Sequence, residues 1–350
     1  MHAGFHRTLP HPGVLIGRPG PPIETVVEKH MSRYILRRLA ISIPVLLGIT
    51  MAVYLIVNFA PGDPVTAMID PEAVVTLGPE WVEDQKKELG LDQPLPIRYG
   101  IWISEVVRGN LGFSFNDRRA VSDKIGERIW PTLKLMLAAE GIALVIGLPI
   151  GIMSALRQYS KGDYLATIFG FTAISIPSFF LALGSIYVFA ILLGWLPTAG
   201  MSTIGTEPTF IDSLKHLILP ASVLGLAQAA PLIRYSRSSM LEVLRQDYVH
   251  VARAKGLRER TVVSRHAMRN ALIPLVTVIA LDLPRLLGGT IIIEQVFAWP
   301  GMGTLAIAAV RGYDYPVIMT INLISAVMIL SSNLLADVMY AVIDPRIKYT

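Results

Sequence analysis

The side chains best placed to do chemistry in this sequence fall into two groups. The first is a polar interval, Asp247–Pro274 (DYVHVARAKGLRERTVVSRHAMRNALIP), flanked on both sides by apolar segments. With Arg245 just upstream it holds seven cations, the others being Arg253, Lys255, Arg258, Arg260, Arg265 and Arg269, against two acids, Asp247 and Glu259. Its first part reads as a short helix, with Ala252 and Ala254 leading to Gly256, a residue that accepts the left-handed conformation of a helix C-cap. A second helical start runs through Arg269 and Pro274 into the next apolar segment. Small side chains let a foreign backbone come close and glycine permits a sharp turn, so the form is that of a docking knuckle. A basic loop that only fixes membrane orientation fits the same residues equally well. The second group is the charges inside apolar stretches, Glu140, Asp282, Arg285, Glu294 and Asp337. Asp282 and Arg285 are three apart, so they share a helix face and can neutralise one another. They could line a path for a zwitterionic substrate, although a structural pair facing a partner helix is the favoured reading. Glu294 and Asp337 fall near the ends of their stretches, where a carboxylate costs little.

Much chemistry is missing. There is no G-x-x-x-x-G-K-[ST] phosphate loop, no H-E-x-x-H and no G-x-S-x-G. Ser178, between Pro177 and Phe179, suits a helix kink better than a nucleophile. The absence of cysteine removes disulfides, thiolate metal sites and a Cys nucleophile. A transporter or channel is favoured over an intramembrane enzyme, and uphill transport would need energy from elsewhere.

The elements that must carry these residues are membrane helices. The chain is 53% hydrophobic and 16% charged, with a mean hydropathy of +0.53. The formal charge of +5 does not point to nucleic acid, because the cations sit between apolar spans and not on an aromatic-lined surface. Residues 1–30, rich in Pro, Gly and His, read as a disordered extension without the apolar core of a signal peptide, and Met31 is a sensible alternative start. A first span, within 31–60, covers about Leu39–Phe59, long enough for the ~20 residues that a bilayer core needs. It ends at Ala60-Pro61-Gly62-Asp63-Pro64. Residues 61–130 form a polar insert with twelve acids and eight cations, including a surface helix, WVEDQKKELG, ending at Gly90. Five more spans follow within 131–341: about Leu133–Ala155, Leu165–Leu193, Leu217–Ile233, Leu272–Val296 and Val317–Ala341. Pro177 predicts a break in the third. Loop 234–271 carries nine cations, whereas loops 194–215 and 298–316 carry one each. By the positive-inside rule this gives six spans, an extracytoplasmic insert and both termini in the cytoplasm, with 342–350 as the C-terminal tail.

The order of motifs resembles the permeases of ABC importers in the oligopeptide/dipeptide/nickel group. The interval D-Y-V-H-V-A-R-A-K-G-L followed by R-H-A-M-R-N-A-L-I-P is similar to their "EAA" loop. R-Y-I-L-R-R-L, I-P-V-L-L-G-I and A-P-G-D-P match at the first span, and L-G-L-D-Q-P-L, R-Y-G-I-W-I and R-G-N-L-G-F-S in the insert. Further on come I-G-L-P-I-G-I, H-L-I-L-P, L-G-G-T-I-I-I-E-Q-V-F-A-W-P-G-M-G and a terminal D-P-R, so the resemblance runs from Met31 to about Lys348. The large insert resembles the B-type subunit.

That resemblance implies an all-α integral membrane protein with the type I ABC importer permease fold, in the inner membrane of a prokaryote. It implies a homologous C-type permease, two ABC ATPase subunits or domains that hold the ATP and Mg, and an extracytoplasmic binding protein that delivers peptide; this chain itself would bind no cofactor. Within the loop, 246–274, it implies a coupling helix at Tyr248–Lys255 set in a groove of one ATPase, with Ala252 touching the ATPase, Arg253 and Lys255 beside it and Gly256 turning the chain. Arg265, Arg269, Asn270 and Pro274 would fix the return into the fifth span. Where the wider motif has Glu-Ala-Ala this chain has His250-Val251-Ala252, which removes the Glu from the contact set. Nickel chelates, glutathione and sugars also pass through permeases of this pattern. A secondary transporter or channel without ATPases is the rival, and it would have no need of the knuckle.

Overall fold

The computed structural model describes residues 23–343 apart from 63, 64 and 66–70, and excludes the side chains at 23–33, 71–77, 79, 281, 283–289 and 340–343. Within these bounds the chain is helical, with one isolated β-bridge between Phe113 and Ala120. The helices are α1 Ile23–Phe59, α2 Pro71–Glu88, α3 Leu95–Val107, α4 Val121–Leu156, α5 Lys161–Ser175 and α6 Ser178–Ser185, the last continuing as a π-helical stretch Ile186–Leu192. Then come α7 Phe210–Leu244 and α8 Asp247–Ala254. Glu259–Thr261, a π-helical Val262–Ala267 and α9 Met268–Val296 follow one another without a break, and α10 Met302–Arg311 and α11 Tyr315–Ile343 close the chain.

Four of these helices, α1, α4, α7 and α11, are long and apolar enough to cross a membrane, and the bent pair α5–α6 makes a fifth candidate. The break expected at Pro177 is present: the two helices meet at 100° across Ile176–Pro177. Proline lacks the amide that would continue the ladder and clashes with the preceding turn, so one span becomes two arms.

The centre of the molecule is the crossing of α4 and α7. Gly147 and Gly151, one turn apart on α4, are backed by Leu232, Ile233 and Ser236 of α7 so closely that a Cβ at Gly151 would lie 2.6 Å from the Ile233 carbonyl oxygen. Gly225 of α7 returns the arrangement, its missing Cβ falling 2.6 Å from the carbonyl oxygen of Ala139. Lipid is as apolar as leucine, so close van der Waals approach, more than apolar burial, holds such helices together. A core of Leu135, Met136, Leu219, Leu224, Ile293 and Phe297 fills the space beside the crossing.

Several boundaries differ from the sequence reading. Helix α1 starts at Ile23, so the last eight residues of the stretch expected to be disordered are helical; residues 1–22 lie outside the described part. The Pro/Gly-rich composition ends at Pro22, and adding residues to an existing helix is far easier than nucleating one. The expected spans at 133–155 and 217–233 are apolar parts of longer helices of 36 and 35 residues, about 54 and 52 Å long at 1.5 Å per residue, the first extended at its N-terminal end and the second at both ends. The last ten residues of the 61–130 insert therefore belong to α4. Hydropathy marks the stretch that oil must cover and is silent on how far the backbone ladder continues beyond it. The expected tail, 342–350, lies outside the described residues beyond Ile343.

The insert leans on the helices at both of its ends. Tyr99 of α3 donates its hydroxyl to the Leu47 carbonyl at 3.1 Å and shares a 2.9 Å hydrogen bond with Thr50 of α1. Buried Asp314, between α10 and α11, accepts from the Ser114 hydroxyl at 2.5 Å and the Phe115 amide at 3.0 Å. Towards the start of α1, Arg38 pairs with Asp337 of α11 at 2.9 Å.

Candidate functional site

The knuckle is built from the end of α7 outward. After Leu244 only Arg245 and Gln246 intervene before α8 begins at Asp247. The short helix is amphipathic, and its buried side serves its own chain: Val249 and Ala252 pack on Val262 of the returning arm, with Val243 and Leu244 of α7 beside them. Ala252 is 6% exposed, its methyl group packed against the chain's own body. An eight-residue helix cannot hold itself in water, and two small apolar side chains turned inward are what seat it on the body of the protein.

The outward side carries Tyr248, Val251 and Leu257, which are 41%, 52% and 41% exposed, with His250 and Ala254 also open to solvent. The helix closes with paired hydrogen bonds, the Gly256 amide to the Arg253 carbonyl at 2.9 Å and the Leu257 amide to the Ala252 carbonyl at 3.4 Å. Gly256 sits at φ +74° with nothing within 4 Å of where a Cβ would lie. Conformation alone demands glycine here, since the space is empty.

The cations are not all alike. Arg253 grips Glu259 across the turn, Nε to Oε2 at 3.1 Å and a terminal guanidinium nitrogen to Oε1 at 2.7 Å. Hydrogen bonding and charge from Arg253 hold the Glu259 carboxyl below its ordinary pKa. The pair lies on the surface and braces the Gly256 turn. Lys255 is exposed beside it. On the return arm, Asn270 donates to the Tyr248 hydroxyl at 2.8 Å and to the His266 carbonyl at 3.2 Å, tying α8 to α9. Arg265 and Arg269 are exposed and, with Tyr248, His266 and Asn270, line an open cleft of about 700 Å³. Pro274, exposed in α9, removes the amide that would bond the Asn270 carbonyl. Tyr248, Arg265, Arg269 and Asn270 are thus brought together; Arg253, Lys255 and Gly256 form a second group at the turn.

The intramembrane charges resolve differently. Asp282 is half-buried on α9 and Glu140 is buried on α4, while the Arg285 side chain lies outside the described residues. Glu294, read as an interfacial carboxylate, is fully buried. It accepts from Thr132 Oγ1 at 2.7 Å and from the amides of Gly303 and Thr304 at 2.7 and 3.1 Å, so it caps the start of α10, where a carboxylate also meets the positive end of the helix. The Trp299 indole donates to the Pro131 carbonyl at 3.0 Å and closes the same junction.

One constellation escapes sequence reasoning. Asp163, at the start of α5, accepts two hydrogen bonds from Arg237 of α7, at 2.7 and 2.9 Å, one from the Tyr159 amide at 2.9 Å and one from the Ser154 hydroxyl of α4. Asp163 and Arg237 are 74 residues apart. Only the run Ser154, Ser160, Asp163 at the end of an apolar stretch hints at it.

The geometry has counterparts. Residues 147–349 match the family profile of the binding-protein-dependent transport system inner membrane component, and residues 31–136 match that of its N-terminal region. The oligopeptide transport system permease protein AppB of Bacillus subtilis (strain 168) is 44% identical, the alignment covering 91% of this chain and 100% of AppB. The dipeptide transport system permease protein DppB of Alkalihalophilus pseudofirmus is 37% identical and the glutathione transport system permease protein GsiC of Escherichia coli (strain K12) 40%, each over 91% of this chain and 100% of the relative. Among solved structures, an inward-facing form of the MetNI methionine ABC transporter aligns with a TM-score of 0.51 at 19% identity, over 63% of this chain and 96% of that one. At that identity the likeness speaks for the fold.

Proposed function

This chain belongs to the family of binding-protein-dependent transport system inner membrane components, and from that membership we propose that it forms half of the membrane pathway of an ATP-driven importer of di- and oligopeptides. The other half is a homologous C-type permease; two ABC ATPase subunits or domains bind ATP and Mg, and an extracytoplasmic protein captures the cargo. The names of the AppB and DppB relatives support peptide cargo, and glutathione, the cargo named for GsiC, is itself a small peptide.

The observation that carries the reading is the outward strip of α8. A solvated topology loop has no reason to seat a short helix on buried Val249 and Ala252 while presenting Tyr248, Val251 and Leu257 to water. Such a helix fits a groove on another protein. Behind it the chain continues into α7, and the Tyr248–Asn270 bond links it to α9. Closure of an ATPase pair on ATP would push α8 and so move both. Tyr248, Arg253, Lys255 and Gly256 make the docking end; Arg265, Arg269, Asn270 and Pro274 shape the return; Asp282 and Arg285 are the proposed pathway charges.

In this reading the six spans are α1, α4, the bent pair α5–α6, α7, α9 and α11. Region 61–130 stands outside, where its acid-rich surface meets the binding protein, the coupling loop 246–274 lies inside, and both termini are cytoplasmic. The nine cations of loop 234–271 support that orientation. Purification of the tagged chain in mild detergent, with mass spectrometry of what accompanies it, tests the proposal. Recovery of a second permease and ATPases is the expected result; a chain that purifies alone and monodisperse overturns it.

A further inference from the structure

We propose that the Asp163–Arg237 pair is the joint that makes the broken span follow the docking helix, a positioning pair for transport; this rests on the importer reading above. Arg237 lies on α7, ten residues before α8 begins at Asp247 and about 10 Å along the axis from the end of α7 at Leu244. No break intervenes up to Leu244. Asp163 stands in the first turn of α5, the helix that ends at the 100° bend. Asp163 is 4% exposed, and its carboxylate gathers donors from three sources, Ser154 of α4, the Tyr159 amide of the connecting loop and the Arg237 fork.

The shape of this contact matters more than its charge. Two parallel N–H···O bonds between a guanidinium and a carboxylate fix an angle as well as a distance, which a single ammonium cannot do. The α4–α7 contact is already locked by the glycine notches at Gly147, Gly151 and Gly225. By contrast, α5 presents exposed apolar side chains, Leu165, Ile168, Phe171 and Ile174 among them, and buries only Asp163, Ala166 and Gly170. The fork is therefore what keeps α5 from pivoting when α7 is pushed along its length. Without it, α8 and α7 would move and the bent span would lag.

The test uses the whole complex in lipid vesicles, with the binding protein outside and labelled trialanine as cargo. ATP hydrolysis and uptake are measured in the same vesicles for wild type, Asp163→Asn and Arg237→Lys. In Asp163→Asn, hydrolysis should stay within about twofold of wild type while uptake per ATP falls by about tenfold, within the usual range for coupling between sites. Arg237→Lys, which keeps the charge and loses the fork, should fall between. Unchanged uptake per ATP in both variants, or uptake and hydrolysis declining in parallel, overturns the proposal and leaves the pair a packing contact. If Asp163→Asn fails to insert, Arg237→Lys decides by the same two results. A second readout is independent of cargo: this chain has no cysteine of its own, so spin labels can be placed on it at Ile168→Cys and Glu242→Cys before it is assembled with its partners. Their separation should hold constant between nucleotide-free and ATP-trapped wild type and shift in the variants; an equal shift in wild type overturns the joint. A wild-type complex that retains no ATPase would instead overturn the importer reading itself.

Discussion

The junction around Glu294 and the knuckle at 247–274 are both places where the chain turns back on itself, and they are built in opposite ways. At the junction the polar groups are buried and answered: Glu294, Thr132, the amides of Gly303 and Thr304 and the Trp299 indole all find partners inside the chain. At the knuckle the charges are exposed, the one bidentate pair is on the surface, and apolar side chains face outward. The first turn is finished by its own residues. The second leaves charges and an apolar strip open to solvent in the single chain, which is what the docking end proposed above would require.

Three substitutions sharpen that contrast, in descending order of effect. Glu294→Ala strands the Thr132 hydroxyl and two amides in a dry site and leaves a cavity, so it should destabilise by on the order of 4 kcal/mol. Thermal unfolding of the detergent-solubilised complex would read this, and an unchanged midpoint would remove the contrast. Gly256→Val meets no neighbouring atom, and its cost is the left-handed backbone alone, about 1–2 kcal/mol. The chain should still insert and fold, yet lose its companions on purification and its transport; full transport by this variant would show that the turn is not the docking end. Arg253→Ala should change stability by less than about 1 kcal/mol, since exposed pairs are screened. Its signature is instead a titration. Arg253 lowers the Glu259 pKa, so the stabilisation is present above the ordinary glutamate value and fades as pH falls through the lowered one. In Arg253→Ala the Glu259 carboxyl, followed by nuclear magnetic resonance, should return upward to the ordinary range; no movement would mean that the pair does not form in solution.

What the sequence reveals of this molecule follows from what is local. Pro177 announces the bend because a missing amide acts within one turn, and Gly256 announces the helix stop for a similar reason. Ala252 is ambiguous in the sequence because small size is compatible both with letting a partner approach and with packing on a residue such as Val262 ten positions later, and the packing appears only in the fold. Glu294 misleads because its depth is set by Thr132 and by the start of α10, neither of which its own neighbours disclose. The Asp163–Arg237 fork is invisible for the same reason at greater distance: it exists only because α5 and α7 are brought side by side.

At the bend of Ile176–Pro177, where α5 stops and α6 starts, carbonyls and amides lack the partners a continuous helix would give them. Water can supply those partners and acyl chains cannot. The side chains of Ile176, Phe179 and Phe180 around the bend are open to their surroundings in the single chain. A helix broken inside a bilayer would have to find those partners on a protein surface or in a thread of water, so this one proline marks a place that acyl chains alone cannot complete.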